Sequence, residues 1–116
     1  MAFQFNEVFE SMMQSHNLST VVILAHMNPD GDAAGSVMGL AHYIHDVYPQ
    51  YKALPYLAST LDKGPMKLVA DDTLFDPYTF PVAEQYGVIV CDTATKQRMI
   101  GYELYERAAF SIVIDH

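Results

Sequence analysis

An imidazole and two carboxylates stand within seven residues of one another, directly after an apolar run. They are His26, Asp30 and Asp32, and the run covers residues 21–25. Imidazole nitrogen and carboxylate oxygen bind divalent metal ions, and folding does not require three such groups at one strand end. Gly31 lets the backbone turn sharply between the two aspartates. This stretch therefore predicts a metal site.

Two later apolar runs have the same arrangement. Asp92 follows residues 87–91, and Asp115 and His116 follow residues 111–114. The carboxyl ends of parallel strands face one crevice, where open α/β sheets bind their ligands. We therefore expect residues that are distant in the sequence to converge on one site.

The expected site has a strong negative charge. Asp30, Asp32 and Asp92 would repel one another unless cations lay between them. A donor set rich in carboxylate favours manganese, ahead of magnesium, cobalt and zinc. Two divalent ions about 3.5 to 4 Å apart would activate a water molecule and bind phosphoryl oxygens, which is the two-metal route to phosphoester hydrolysis.

Hydrophobic periodicity predicts the elements that position these residues. Continuous β-branched runs are typical of strands buried on both faces of a parallel sheet, and apolar residues at helical spacing predict the helices. We predict helices from Phe5 to about His16, over 33–48 and over 97–108, strands over 20–25, 51–58, 87–91 and 111–114, and a loop with one helical turn over 59–85. Pro55 would place the second strand at an edge or shorten it. Alternating strands and helices indicate an α/β fold with a parallel sheet flanked by helices.

The composition of the chain limits the classes of function that it can have. The chain of 116 residues is 51% hydrophobic, which fits one domain or part of one. Its formal charge of −8 argues against a protein that binds directly in the nucleic-acid groove. No apolar run reaches the roughly 18 to 20 residues of a membrane span, and the single Cys91 fits a reducing compartment, so we expect a cytoplasmic protein with no membrane partner.

The motifs resemble those of a known family. His26-x-x-x-Asp30-x-Asp32-Ala33-x-Gly35-Ser36, then Asp92-Thr93-Ala94, then Asp115-His116 resemble, in order, the first three motifs of the DHH phosphoesterases. That family is named for the Asp-His-His of its third motif, which this chain leaves one residue short. The resemblance implies that residues 1–116 are the N-terminal part of a DHH catalytic domain and that a C-terminal substrate-binding domain is absent.

The resemblance also implies a role for each matching residue. His26, Asp30 and Asp92 would hold one manganese ion, and Asp32, Asp92 and His116 the other. Asp92 would bridge the two ions, and Asp115 would orient its neighbours. The catalytic residues would then be Asp92, Asp115 and His116. Further family ligands lie outside these motifs, so we expect the fragment by itself to be inactive.

Asp92-Thr93-Ala94 followed by Arg98 is most similar to the oligoribonuclease and 3′,5′-bisphosphate nucleotide phosphatase branch. The resemblance implies short RNA or nucleotide phosphates, such as adenosine 3′,5′-bisphosphate, as substrates, and a homodimer as one option for assembly. A manganese-dependent inorganic pyrophosphatase of the same superfamily is an alternative. So is a non-catalytic module that binds a divalent ion or a nucleotide.

Two simpler interpretations compete with parts of this hypothesis. Asp32 could cap the helix that follows it, although a cap would leave His26 and Asp30 unexplained. His42, His45 and Asp46 have helical spacing and could suggest a second metal site, but His45 and Asp46 are more naturally solvated, with His42 paired to Asp46.

Overall fold

The chain forms a parallel sheet with helices on both faces. The computed structural model describes residues 5–25, 31–57, 74–75, 81, 84–91 and 102–114, and of residues 31–34 it describes the backbone alone. The elements are α1 (Phe5–Ser15), β1 (Thr20–Ala25), α2 (Gly31–Val47), β2 (Lys52–Tyr56), β3 (Gly87–Cys91), α3 (Tyr102–Arg107) and β4 (Ser111–Ile114). The predicted α/β class is confirmed.

The four described strands lie in the order β2-β1-β3-β4, and every neighbouring pair is parallel. The central strands β1 and β3 are buried almost throughout, which explains why both are continuous apolar runs. The predicted ranges of β1, β3 and β4 are confirmed.

The two faces of the sheet carry separate apolar clusters. Val21, Ile23 and Ile89 pack with α1 and α2 on one face, and Val22 and Val88 pack with α3 on the other. Because α2 leads from β1 outward to β2, and α3 leads from β3 to β4 in the opposite direction, helices on opposite faces give both crossovers the same hand.

Among the four described strands, β2 lies at an edge, which is one of the two outcomes that Pro55 predicted. Pro55 pairs with Ile23 of β1, and a proline has no N–H to offer a further strand on its other side. The strand runs from Lys52 to Tyr56, which is shorter at both ends than the predicted 51–58.

The end of α1 has a specific local cause. Asn17 adopts a left-handed φ of 55°, the Leu18 N–H donates to the Met13 carbonyl at 2.9 Å, and the Asn17 N–H donates to the Gln14 carbonyl at 3.1 Å. This pair of bonds is the Schellman motif, with asparagine at the position that glycine usually takes. It turns the chain from α1 into β1.

The other helices differ from prediction at their ends. α2 begins at Gly31, two residues before the predicted start at 33. The described part of the last helix begins at Tyr102, and residues 97–101 lie outside the described residues, as does most of the predicted loop over 59–85. Among the described helices, none combines the length and the apolar content needed to cross a membrane.

Candidate functional site

Three strands end side by side at the carboxyl edge of the sheet, which is the edge where the parallel strands finish. Ala25 of β1 is the register partner of Cys91 in β3, and Cys91 is the partner of Ile114 in β4. Neighbouring strands lie about 4.8 Å apart, so the three last residues lie within about 10 Å of one another. In the sequence, the next residues are His26, Asp92 and Asp115.

The strand order places a topological switch point at this edge. The chain leaves β1 toward β2 on one side, and β3 lies on the other side of β1. In open α/β sheets, ligands bind outside the carboxyl ends of the strands where the order reverses in this way. The segments that follow β1 and β3, which carry the first two predicted motifs, both start at this point.

Most of the predicted site residues lie outside the described residues. This holds for His26, Asp30, Asp92, Asp115 and His116. The structure therefore tests neither their contacts nor their assignment as metal ligands.

Asp32 is described by its backbone, which is the second residue of α2. It stands inside the first turn, whereas the capping interpretation placed it just before the helix. A carboxylate in the first turn interacts favourably with the positive end of the helix dipole. Aspartate is therefore a favourable residue type at this position of the helix, whether or not it also binds a metal.

The residues beneath this edge fit a metal held by nitrogen and oxygen. Ala25 and Cys91 are buried, and Cys91 belongs to the apolar cluster under α1 and α2. Cys91, the only cysteine of the chain, is thus part of the core. The donors that the sequence supplies at this edge are imidazole and carboxylate, a set that suits manganese or magnesium better than a soft metal.

The histidines of α2 have a different environment from the predicted motifs. The Phe75 ring meets His42 edge-on, with centroids 5.0 Å apart, and His45 edge-on at 6.1 Å. In the described part of the chain, no three His, Cys, Asp or Glu side chains form a group that could hold a metal. The second-metal interpretation of His42, His45 and Asp46 gains no support here.

An open cleft of about 370 Å³ lies at the amino edge of the sheet, where the parallel strands begin. Its lining includes Thr20 and Lys52, the first residues of β1 and β2, and Glu84 before β3. Because these are the amino ends of the strands, this cleft is not the predicted site.

Two buried tyrosines, which no sequence motif singled out, have raised pKa values. Burial, and then a hydrogen bond from its hydroxyl to Glu10 at 3.1 Å, raise the pKa of Tyr48 to about 12. Burial raises the pKa of Tyr86, against a smaller lowering by Arg107, and its hydroxyl donates to the Leu104 carbonyl at 2.8 Å. The only sequence signal was the position of Tyr48 on the apolar face of a predicted helix.

Comparison with known proteins agrees with the family resemblance. The family model for the "DHH family, N-terminal domain" matches residues 20–116. A curated relative, the bifunctional oligoribonuclease and PAP phosphatase NrnA of Bacillus subtilis, is 33% identical over 97 residues. The aligned region is 84% of this chain and 29% of the relative, so the chain spans less than a third of the relative's length.

Proposed function

This chain belongs to the DHH family, and we propose that its gene product is a metal-dependent phosphoesterase with its site at the carboxyl edge of the sheet. One observation carries the proposal. The last residues of β1, β3 and β4 are register partners, and a family motif follows each of them in the sequence. The three motifs thus start from adjacent strand ends although they are far apart along the chain.

We assign the motif residues to two divalent metal ions, with manganese as the first choice. His26, Asp30 and Asp92 would hold one ion, and Asp32, Asp92 and His116 the other. When bound, such ions lower the pKa of a water molecule and neutralise phosphoryl charge. Asp92, shared between the two ion positions, would set their spacing.

Other residues of the chain would orient the metal ligands and exclude water from beneath the site. Asp115 would orient the neighbouring ligands by hydrogen bonding, as residues behind metal ligands commonly do. The apolar floor formed by Ala25 and Cys91 would exclude water from beneath the site. With Asp92 and His116, Asp115 makes up the proposed catalytic set.

The proposed substrates are short oligoribonucleotides and adenosine 3′,5′-bisphosphate. Support comes from the relative, whose name states oligoribonuclease and PAP phosphatase activities. The formal charge of −8 is compatible with anionic substrates if bound cations reverse the local field. We place the protein in the cytoplasm, and a homodimer remains a prediction.

The test is a hydrolysis assay on the complete gene product with manganese. The substrates are a ribodinucleotide, adenosine 3′,5′-bisphosphate and inorganic pyrophosphate. We expect turnover of the first two, and we expect Asp92→Asn to lower it at least about 100-fold, because a shared metal ligand is lost. The matched control is Asp46→Asn, an exposed aspartate of α2 that should leave turnover unchanged.

The other outcomes of the hydrolysis assay would each indicate a different function or refute an assignment. Pyrophosphate turnover in preference to adenosine 3′,5′-bisphosphate would indicate the pyrophosphatase alternative. Manganese binding without turnover of any substrate would indicate the non-catalytic binding module. Full activity in Asp92→Asn would refute the assignment of Asp92.

A further inference from the structure

The cleft at the amino edge of the sheet has a floor that is partly polar and partly apolar. Thr20 and Lys52 are register partners at the first positions of β1 and β2, and Leu54 lies two residues further along β2. Because side chains alternate along a strand, all three face the same side of the sheet as Val22. Leu54 packs against the apolar cluster of that side. The floor therefore offers a hydroxyl and an ammonium group beside an apolar side chain.

The first wall of the cleft is the turn between α1 and β1. It consists of residues 17–19, and the Schellman motif holds it to the end of α1. The Ser19 carbonyl also accepts the Lys52 N–H at 2.7 Å, which joins this wall to the floor. Since these bonds involve the backbone, the wall keeps its shape when a side chain in the cleft is replaced.

The second wall is formed by Glu84 and Gln85, directly before Tyr86. Tyr86 is only 3% exposed, and its hydroxyl donates to the Leu104 carbonyl at 2.8 Å. Its own carbonyl accepts the Ala109 N–H at 2.9 Å. Both walls are thus fixed by bonds that do not involve a ligand. A preformed cleft of this kind loses little conformational freedom when it binds a ligand.

The cleft contains one ammonium and one carboxylate group that do not pair. Lys52 and Glu84 both line it, and in the described part of the chain neither forms an ion pair. Lys52 belongs to β2 and Glu84 leads into β3, and these two strands lie on opposite sides of β1. The two side chains therefore start from opposite sides of the cleft. Hydroxyl and amide side chains complete the polar lining, namely Asn17, Ser19, Thr20 and Gln85.

This charge pattern determines the class of ligand. An anion such as a nucleotide would meet Lys52 but would be repelled by Glu84, in a chain whose formal charge is −8. A cation would be repelled by Lys52. A zwitterion is complementary to both groups. The volume of about 370 Å³ lies within the range of about 300 to 1,000 Å³ of small-molecule sites, and Leu54 can contact an apolar part between the charged ends.

We propose that this cleft binds a small zwitterion of dipeptide size, with its carboxylate on Lys52, its amine on Glu84 and an apolar side chain on Leu54. The cleft is separate from the proposed metal site. β1 has six residues, which place the amino and carboxyl edges of the sheet about 17 Å apart. The proposal therefore goes beyond the proposed function and does not depend on it.

The experiment is a ligand-observed NMR titration of the complete gene product with the dipeptide alanyl-leucine. We expect a Kd on the order of 1 mM, which is the usual affinity for a ligand of this size. Two blocked forms of the dipeptide are matched controls, because acetylation removes the charge of the amine and amidation removes that of the carboxylate. Each form should bind about two- to fivefold more weakly, as expected when one partly exposed ion pair is lost.

Two variants separate the contributions of the two charges. Lys52→Met should weaken binding of the dipeptide about two- to fivefold but should not weaken binding of the amidated form, which has no carboxylate to lose. Glu84→Gln should behave in the same way toward the acetylated form. Both side chains are exposed, so the fold should tolerate their replacement. Glu103→Gln, an exposed position of α3 outside the cleft, is the control and should leave all three Kd values unchanged.

Several results would overturn the proposal. Wild type might show no saturable binding of alanyl-leucine, or might bind the dipeptide and both blocked forms equally. The loss in Lys52→Met could be as large for the amidated form as for the dipeptide. Tighter binding of adenosine monophosphate than of the dipeptide, weakened by Lys52→Met, would show that the ligand is a nucleotide and not a zwitterion. Dipeptide binding by a protein that hydrolyses no phosphoester would support the proposal and refute only the proposed function.

Discussion

Gly87, the first residue of β3, occupies a position that has no room for a side chain. A Cβ built there would lie 2.5 Å from Cε2 and 2.8 Å from Cε1 of Phe110, and would also overlap Cζ of that ring. Real Cβ atoms essentially never approach other atoms within 3.0 Å. Gly87→Ala must therefore displace the Phe110 ring.

The ring cannot move away freely. Phe110 is only 7% exposed, and its carbonyl accepts the Val88 N–H at 3.0 Å, which fixes the backbone next to the start of β4. Extra methyl groups forced into a packed core cost about 1 to 3 kcal/mol. Replacing glycine by alanine returns about 0.5 to 1 kcal/mol through the lower entropy of the unfolded chain. From the middle of each range, about 2 kcal/mol against about 0.75 kcal/mol, we expect Gly87→Ala to lower the free energy of unfolding by about 1 kcal/mol.

Urea unfolding followed by circular dichroism measures this change, and Gly39→Ala is its matched control. Nothing lies within 4 Å of a Cβ at Gly39, which is an exposed interior position of α2. Alanine there should raise the free energy of unfolding by about 0.5 to 1 kcal/mol. In Gly87→Ala combined with Phe110→Leu, the two losses should be less than additive, since the shorter side chain makes room. Equal stability of Gly87→Ala and wild type, or strictly additive losses, would refute the overpacking argument.

Three further predictions follow from single contacts. The raised pKa of Tyr48 means that folding disfavours its phenolate, so the stability that it contributes is complete below pH 10 and lost as the pH rises through about 12; denaturation across that range should show a steeper loss for wild type than for Tyr48→Phe. Tyr86→Phe leaves the buried Leu104 carbonyl without its donor and should cost about 1 to 3 kcal/mol in thermal or urea unfolding, whereas Tyr102→Phe should stay within about 0.5 kcal/mol of wild type. Phe75→Ala removes the ring that both histidines of α2 meet edge-on, so the imidazole proton signals of both should shift in NMR spectra, and unshifted signals would show that the contact is absent in solution.

The strands could be predicted because burial restricts which residue types a strand can contain. A strand covered on both faces must be apolar at every position, and β1 and β3 are such strands. Pro55 carried equally local information, because its missing N–H limits β2 to an edge. In each case one apolar run indicates a strand, or one residue type indicates where that strand lies, without reference to the rest of the chain.

The start of α2 was predicted two residues late for a related reason. Asp32 was assigned as a possible cap because aspartate is a preferred residue just before a helix. Aspartate is also favourable within the first turn, where it interacts with the helix dipole. Local preference does not distinguish these positions, and the structure includes both Gly31 and Asp32 in the helix.

Contacts between distant elements left no signal in the sequence. Nothing in the neighbourhood of Glu10 predicts that it accepts a hydrogen bond from Tyr48, and Phe75 lies in a stretch that reads as loop. Both contacts depend on how α2 lies relative to other parts of the chain. Such pairings follow from tertiary packing, which periodicity within one element does not determine.

The order of the strands explains why motifs so far apart can serve one site. The sequence predicted four strands, and the structure places β2 on the outer side of β1, so that β1, β3 and β4 lie next to one another. β2 is also the strand whose carboxyl end, Tyr56-Leu57, carries no metal-ligand type of residue. If β2 lay between β1 and β3, the segments after those strands would start about 10 Å apart instead of about 5 Å. Without long connecting loops, that is too far for Asp92 to share one ion with His26 and the other with Asp32. The excursion of the chain to β2 and back creates the switch point, and the proposed site depends on that topology as much as on its ligands.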